Sequence, residues 1–363
     1  MDVAEWERLG LYDPTDPGAP HQLALLEFLA ARGANAEDLL DFRDGLPGLA
    51  AVLALRGARA LTLSEVVAES GLGEAEVAAI VRAAGLPIPG PEDRFFVEGF
   101  AGLGRGLAAA DDLFGSDAVL QLVRVMGTAM ARVADAVVSA FLVYVQPQAE
   151  QEEAVGLASA QANERAVELI PSVMRLLEVL LRQHVIVARR SIAAEQVESG
   201  YEVQHLCVGF VDLVDSTVLA QTSTVGELGA LLSAFEVLAT ERVLDGGGRV
   251  VKLIGDEVLF TAPTIERGGA IATALAAALA AHPGLPEAHC GLAVGDVTLK
   301  GGDVFGPVVN LAARVVREAA PGEVLVAASA ADVAEGRPGQ LEPAGTRHLK
   351  GFADPVLLYR VVG

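Results

Sequence analysis

Two aspartates stand at the ends of apolar runs. Asp212 follows Val208, Phe210 and Val211 in HLCVGFVDLVDST, and Asp256 follows Val250 to Ile254 and Gly255 in VVKLIGDEVLF. Each run has the character of a buried strand that delivers a carboxylate to its end. Two carboxylates on adjacent strand ends make a site for a hard cation. Mg²⁺ or Mn²⁺ held this way keeps waters and takes its remaining ligands from substrate phosphates, so the indicated chemistry is metal-assisted phosphate chemistry. An aspartate after an apolar strand is also an ordinary turn former or helix cap. The pair therefore takes its meaning from residues further along the chain.

Downstream lies GDVFGPVVNLAAR, Gly302 to Arg314. Asn310 and Arg314 are four residues apart and share one face of a helix whose start is marked by Gly306 and Pro307. Arginine can meet negative charge developing at a phosphoryl group, and asparagine can orient a hydroxyl-bearing ring.

The three segments in this order resemble the catalytic domain of class III nucleotidyl cyclases, over roughly Val203 to Val362. The resemblance implies that Asp212 and Asp256, with the backbone carbonyl of Leu213, bind two Mg²⁺ or Mn²⁺ ions per site. One ion would activate the ribose 3′-hydroxyl and the other would clamp the triphosphate. Backbone amides from Leu213 through Val214, Asp215, Ser216 and Thr217 would cradle phosphate oxygens as a nest. Asn310 and Arg314 match the family's transition-state pair. Lys252 and Asp303 stand where adenylyl cyclases carry a lysine and an aspartate that recognise adenine, and where guanylyl cyclases carry glutamate and cysteine. A lysine donates to adenine N1 and a carboxylate accepts from the exocyclic amine. The same pair leaves guanine mispaired, which is costly in a buried site. ATP is the expected substrate, and cyclic AMP and pyrophosphate the expected products. Lys350, in TRHLKGF, resembles the family's late phosphate-contacting lysine. In that family the site lies at a dimer interface, with the metal aspartates from one domain and the base-reading and transition-state residues from the other. One chain carries both sets here, so the expectation is a homodimer with two equivalent sites and an inactive monomer.

The expected architecture is α+β: an all-α N-terminal regulatory domain (1–171), a helical linker or transducer (172–202) and a ferredoxin-like βαββαβ catalytic domain (203–363). Within the last, the pattern predicts strands at 205–212, 249–255, 257–262, 287–294, 296–299 and 323–327, helices at about 225–243, 266–281 and 307–319, then a short helix and two closing strands. In the N-terminal half, HQLALLEFLAARG predicts a helix ending at Gly33. Long helices are expected over Asp117 to Val145 and Glu152 to about Glu198, with Pro171 starting or kinking a segment. Val173, Leu176, Leu177, Leu180, Leu181 and Val185 form an apolar stripe for packing against the same domain or a second subunit. Leu61 to Pro87 has the rhythm of a helix-turn-helix, but its second helix would present Glu74 and Glu76 to phosphates, so a packed helical pair is the better reading. Gly99, Gly102, Gly104 and Gly106 follow no strand and match no nucleotide fingerprint; close helix packing or a loop is expected.

The formal charge is −22 over 363 residues, which argues against nonspecific nucleic-acid binding and against docking on anionic lipid. Cys207 and Cys290 have no metal-ligand spacing and read as buried small hydrophobes in a reducing cytoplasm. The N-terminus lacks a signal-peptide pattern, and no window reaches about 18 uninterrupted apolar residues. The richest, Ala134 to Val145, is expected to be a buried helix. The N-terminal half resembles, more loosely, the regulatory region of actinobacterial cyclases. That resemblance implies autoinhibition and dimerisation, with links to pH sensing and to a fatty-acid or lipid ligand. His184 and His205 lie on or beside the connector, and histidine is the residue type suited to such a switch; the alternative is that they are plain surface histidines. Two rival readings are a nucleotide-binding module without catalysis and, from GGDVF at Gly301 to Phe305, a diguanylate cyclase-like enzyme. The second lacks support outside that one motif.

Overall fold

The computed structural model describes residues 1–57, 59–149, 155–191, 196–198, 201–329 and 341–362, and the chain divides into two compact units, Met1–Ser191 and Ile192–Gly363.

The first unit is helical apart from a two-residue strand pair, Ala60–Leu61 with Phe96–Val97. Its main core joins helices Val3–Arg8, Ala19–Ala31, Leu46–Arg56 and Val155–Val167 through Trp6, Leu26, Leu29, Leu49, Leu53 and Ala160. Leu63–Ser70 and Glu74–Ala83 form the packed helical pair, closed by Val66, Val77, Val81 and Phe96. Gly104 allows the close approach expected of the glycine run, since a Cβ there would press on the Ser70 carbonyl at 2.8 Å. Two expectations are corrected, the single long helix and the burial of the Ala134–Val145 run. The predicted helix from Glu152 to Glu198 is two helices, Val155–Val167 and Ile170–Ser191, and Glu198 belongs to a strand; Pro171 sits at the start of the second helix, where its missing N–H costs nothing. In the stripe on that helix, Val173 and Leu177 are half-buried, while Leu176, Leu180, Leu181 and Val185 are exposed. The Ala134–Val145 run is not buried. It lies in the helix Ser116–Tyr144, where only Val119 is buried and Met126, Met130, Val138, Leu142 and Val143 are exposed. That helix packs closely against the helix Glu74–Ala83 where Gly127 meets Ala84. By length and composition the stretch Ser116–Gln148 is long and apolar enough to cross a membrane.

The second unit is one mixed sheet with helices on both faces. In chain order its elements are β1 (Gln196–Glu198), β2 (Tyr201–Leu213), α1 (Ser216–Thr222), α2 (Val225–Asp245), β3 (Arg249–Ile254), β4 (Glu257–Ala262), α3 (Ile265–Ala281), β5 (Ala288–Lys300), β6 (Asp303–Phe305), α4 (Pro307–Val315), a 3₁₀ turn (Val316–Glu318), β7 (Val324–Ala327), β8 (Leu341–Arg347) and β9 (Val356–Val361). The order across the sheet is β8-β9-β7-β5-β2-β4-β3, with β1 paired to β2 and β6 to β5. Strand alternation splits β2 between two cores. Cys207, Val211 and Leu213 face α2 and α3, which bring Phe235, Ala239, Val243, Ile271, Leu275 and Leu279. Val208 and Phe210 face the other way, toward Ala312, Val315 and Val316 of α4 and its turn. Each such fully buried side chain contributes about 1.5–3 kcal/mol before chain entropy is subtracted.

The strands expected at 287–294 and 296–299 are one strand. Gly295 and Asp296 resemble a turn but stay paired with Leu206 and His205 of β2, because tertiary pairing overrides a local turn signal. The helix expected to reach 319 leaves α-geometry after Val315 and tightens into the 3₁₀ turn. The short helix expected after 327 falls largely on residues 330–340, outside the described residues.

Candidate active site

Asp212 arrives near the end of β2, half-buried, and its cross-strand partners are Glu257 on β4 and His289 on β5. Asp256 sits in the two-residue turn Gly255–Asp256 between β3 and β4; Gly255 takes φ 65°, which a side chain would disfavour. The turn is tied back to β2 by the Leu213 amide, which donates to the Asp256 carbonyl at 3.2 Å. The charge of Asp256 is felt at Asp212. Burial, followed by the Asp256 charge, pushes the Asp212 carboxyl up to about 6. Burial, followed by the charges of Asp212 and Asp256, pushes Glu257 up to about 7. His289 and Arg317 offset part of the charge at Asp212, and Arg317 part of that at Glu257.

Three crowded, part-buried carboxylates suit a divalent cation, because a cation removes the repulsion that raises their pKa values. Among the described residues no group of three Asp, Glu, His or Cys forms a ready-made metal cage. Two protein carboxylates with open positions fit magnesium or manganese that shares its shell with water and phosphate.

A second cluster lies along the same sheet face. The Lys252 Nζ donates to Asp303 Oδ2 at 2.6 Å, and Asp303 Oδ1 accepts from the Val304 amide at 2.8 Å. Lys252 faces Leu259 across the β3–β4 ladder, beyond a register shift after Val250. The Arg249 guanidinium donates to the Gly302 carbonyl, holding the turn before β6 to β3. Donor and acceptor, 51 positions apart in the chain, are thus set side by side.

Asn310 is exposed and Arg314 half-buried on α4, whose buried side is Ala312 and Val315. The nest is shorter than expected: the Leu213 and Val214 amides donate to the Asp256 and Glu287 carbonyls. That leaves Asp215, at φ 51°, and Ser216 and Thr217 at the start of α1. Lys350 is exposed on the turn after β8, anchored by the buried Leu349. His205 pairs through Nδ1 with Asp296 Oδ1 at 2.7 Å. His184 is exposed on the helix Ile170–Ser191, in the other unit.

Glu257, His289 and Arg317 are the residues that sequence reasoning missed. Glu257 was within reach, because the first residue after a two-residue turn in a hairpin is placed by alternation. His289 and Arg317 carry no local signal.

No protein-family model matches the sequence. An uncharacterized protein of Mycobacterium tuberculosis is 33% identical over 372 residues, spanning 99% of this chain and 94% of its own. An adenylate cyclase of Streptomyces coelicolor is 33% identical over 281 residues, spanning 77% of this chain and 67% of its own. Among solved structures, the adenylyl cyclase CyaB from P. aeruginosa is similar over 45% of this chain and 96% of its own, at 22% identity and a TM-score of 0.40.

Proposed function

Because the chain belongs to the actinobacterial class III adenylyl cyclases, we propose that it converts ATP to 3′,5′-cyclic AMP and pyrophosphate. The ribose 3′-oxygen bonds to the α-phosphorus, the bond to the β-phosphate bridge breaks, and the hydroxyl proton passes to solvent. The observation that carries the choice of adenine is the Lys252–Asp303 pair at 2.6 Å. Lys252 donates to N1 and Asp303 accepts from the exocyclic amine, so the ammonium and carboxylate exchange each other for the base without either being left unpaired.

Asp212 and Asp256, with the Leu213 carbonyl, would hold two Mg²⁺ or Mn²⁺ ions. The chemistry supplied by bound divalent cations there is activation of the hydroxyl and neutralisation of phosphate charge. Arg314 stabilises the charge that develops at the α-phosphoryl group, Asn310 orients the ribose, and Lys350 meets the phosphate tail. Asn310 and Arg314 serve the aspartates of a second copy, so the active species is a homodimer with two sites.

The helical unit controls that dimer, with residues 172–202 as transducer between the regulatory residues 1–171 and the catalytic residues 203–363. His184 and His205 are its candidate pH-responsive groups; an unchanged pH–activity curve in His184→Ala and His205→Ala would remove them.

The test is product formation by the purified full-length chain with Mn²⁺ and with Mg²⁺, using GTP and Asp256→Ala as controls. Cyclic AMP from ATP that disappears in the variant supports the reading. Folded dimers that bind ATP yet release no pyrophosphate would overturn it.

A further inference from the structure

The 3₁₀ turn after α4 is fixed to the sheet at two points. A Cβ on Gly291 would overlap the backbone nitrogen of Val316, so the turn lies directly on β5. Two residues earlier on the same strand face, His289 holds the Ala319 carbonyl through Nδ1 at 2.8 Å. His289 is itself the β5 partner of Asp212. These two ties carry Arg317, midway along the turn, to the rim of the carboxylate cluster, where its charge is felt at both Asp212 and Glu257. Its side chain is exposed, and among the described residues it makes no salt bridge or hydrogen bond. An arginine with uncommitted donors thus stands on a turn fixed to the strand that pairs with Asp212.

The charge count says what it is for. Asp212, Asp256 and Glu257 bring about three negative charges when ionised and two divalent cations about four positive ones, leaving roughly one against a triphosphate of about four. The whole chain, at −22, repels the same substrate. Arg314 and Lys350 add roughly two positive charges and leave the balance about one short, so a further cation suits the site, and the planar fork of arginine matches phosphate oxygens in a way a point charge does not.

We infer that Arg317 binds the β,γ-phosphate end of the nucleotide, and the pyrophosphate once the α–β bridge is broken, from the same chain that supplies Asp212. The inference rests on the cyclase reading for the nucleotide, but its pyrophosphate arm can be read without turnover.

The experiment uses the full-length chain and the variants Arg317→Ala and Arg317→Lys. Steady-state constants for ATP are measured, together with the melting shift produced by inorganic pyrophosphate or by adenosine at saturating Mg²⁺. Losing a charge-assisted hydrogen bond to phosphate corresponds to a roughly 10- to 100-fold effect. Arg317→Ala should therefore raise KM for ATP by about that factor, with a smaller change in kcat. It should abolish most of the pyrophosphate shift and leave the adenosine shift intact, while Arg317→Lys recovers part of both. A pyrophosphate shift equal to that of the parent chain overturns the inference. So does a variant whose only change is in its dependence on Mg²⁺ concentration, because Arg317 would then act on the carboxylates alone. Absence of cyclic AMP from the parent chain would instead remove the cyclase reading, with the pyrophosphate shift still reporting on Arg317.

Discussion

The carboxylate cluster should make the metal-free protein less stable as pH rises through the weakly acid range, the opposite of what salt-bridged carboxylates do. Asp212 moves from an ordinary 3.8 to about 6 and Glu257 from 4.5 to about 7, in both cases first through burial and then through neighbouring carboxylates. The folded state therefore holds these protons more tightly than the unfolded chain. Their contribution is fully present below about pH 4 and is lost between about pH 4 and 6 for Asp212 and between about pH 4.5 and 7 for Glu257. A shift of about two pKa units corresponds to about 3 kcal/mol per group. Both side chains are half-exposed, so screening reduces this to roughly 1–2 kcal/mol for the pair together. For a domain of this size that is a fall in melting temperature of about 3–6 °C between pH 4.5 and 7.5. The assay is thermal unfolding in a chelator across that range, comparing the parent chain with Glu257→Gln and Asp256→Asn to subtract every other titration. Each variant should flatten the pH dependence, and Mn²⁺ should reverse its sign in the parent, since a cation favours the ionised cluster. Parallel pH curves for parent and Glu257→Gln would refute the reasoning.

The same geometry sets three further outcomes. Gly291→Ala forces the turn at Val316 off β5; the overpacking should cost about 1–3 kcal/mol in chemical denaturation and lower activity by displacing Arg314 and Arg317 together. Lys252→Ala leaves Asp303 without its partner, and the preference for ATP over GTP in kcat/KM should fall by about 10- to 100-fold, as for an unpaired buried polar group. Arg314→Ala and Asp256→Ala should each reduce kcat by at least about 10²-fold. Mixed in equal amounts and re-equilibrated, however, they should recover about a quarter of parent activity, because half the dimers are mixed and each has one intact site. No recovery on mixing would place both residues in a site within one chain.

What was legible in the sequence depended on whether a residue announced itself locally. Asp212 and Asp256 end apolar runs, and Asn310 and Arg314 are four apart, so type and spacing were enough to place the first pair at strand ends and the second on one helix, while the roles proposed for them come from the family resemblance. Lys252 and Asp303 were paired through family resemblance alone, since nothing within a few residues of either names the other. His289 and Arg317 needed the β2–β5 register and the packing of a 3₁₀ turn on Gly291, both of them long-range. The apolar run at Ala134–Val145 shows the converse error. Composition says that such a surface gains by being covered, and it does not say what covers it, so burial within the fold was the wrong inference.

The shortened nest has a different origin, in backbone accounting. Read as a string, Leu213 to Thr217 offers five consecutive amides to a phosphate. In the fold, the strand end is buried between β4 and β5, and buried N–H groups must find partners. The Asp256 carbonyl, on the turn that also carries the second aspartate, takes the Leu213 amide, and the Glu287 carbonyl takes that of Val214. The first bond ties the Asp256 turn to the strand that carries Asp212 and the second ties the strand end to the segment before β5, so the amides contribute to the site by positioning its carboxylates. The chain then has to leave the strand at once, and Asp215 does so in the left-handed region at φ 51°, the only non-glycine positive φ among the described residues. That conformation costs of order 1–3 kcal/mol, and it is held where the carboxylate cluster meets the loop. Asp215→Gly should consequently relax the backbone without loss of melting temperature, while Leu213→Pro, which deletes the amide that ties the Asp256 turn, should lower both melting temperature and Mn²⁺ affinity. Loss of Mn²⁺ affinity in Asp215→Gly alone would show that the side chain, and not the tie, orders the site.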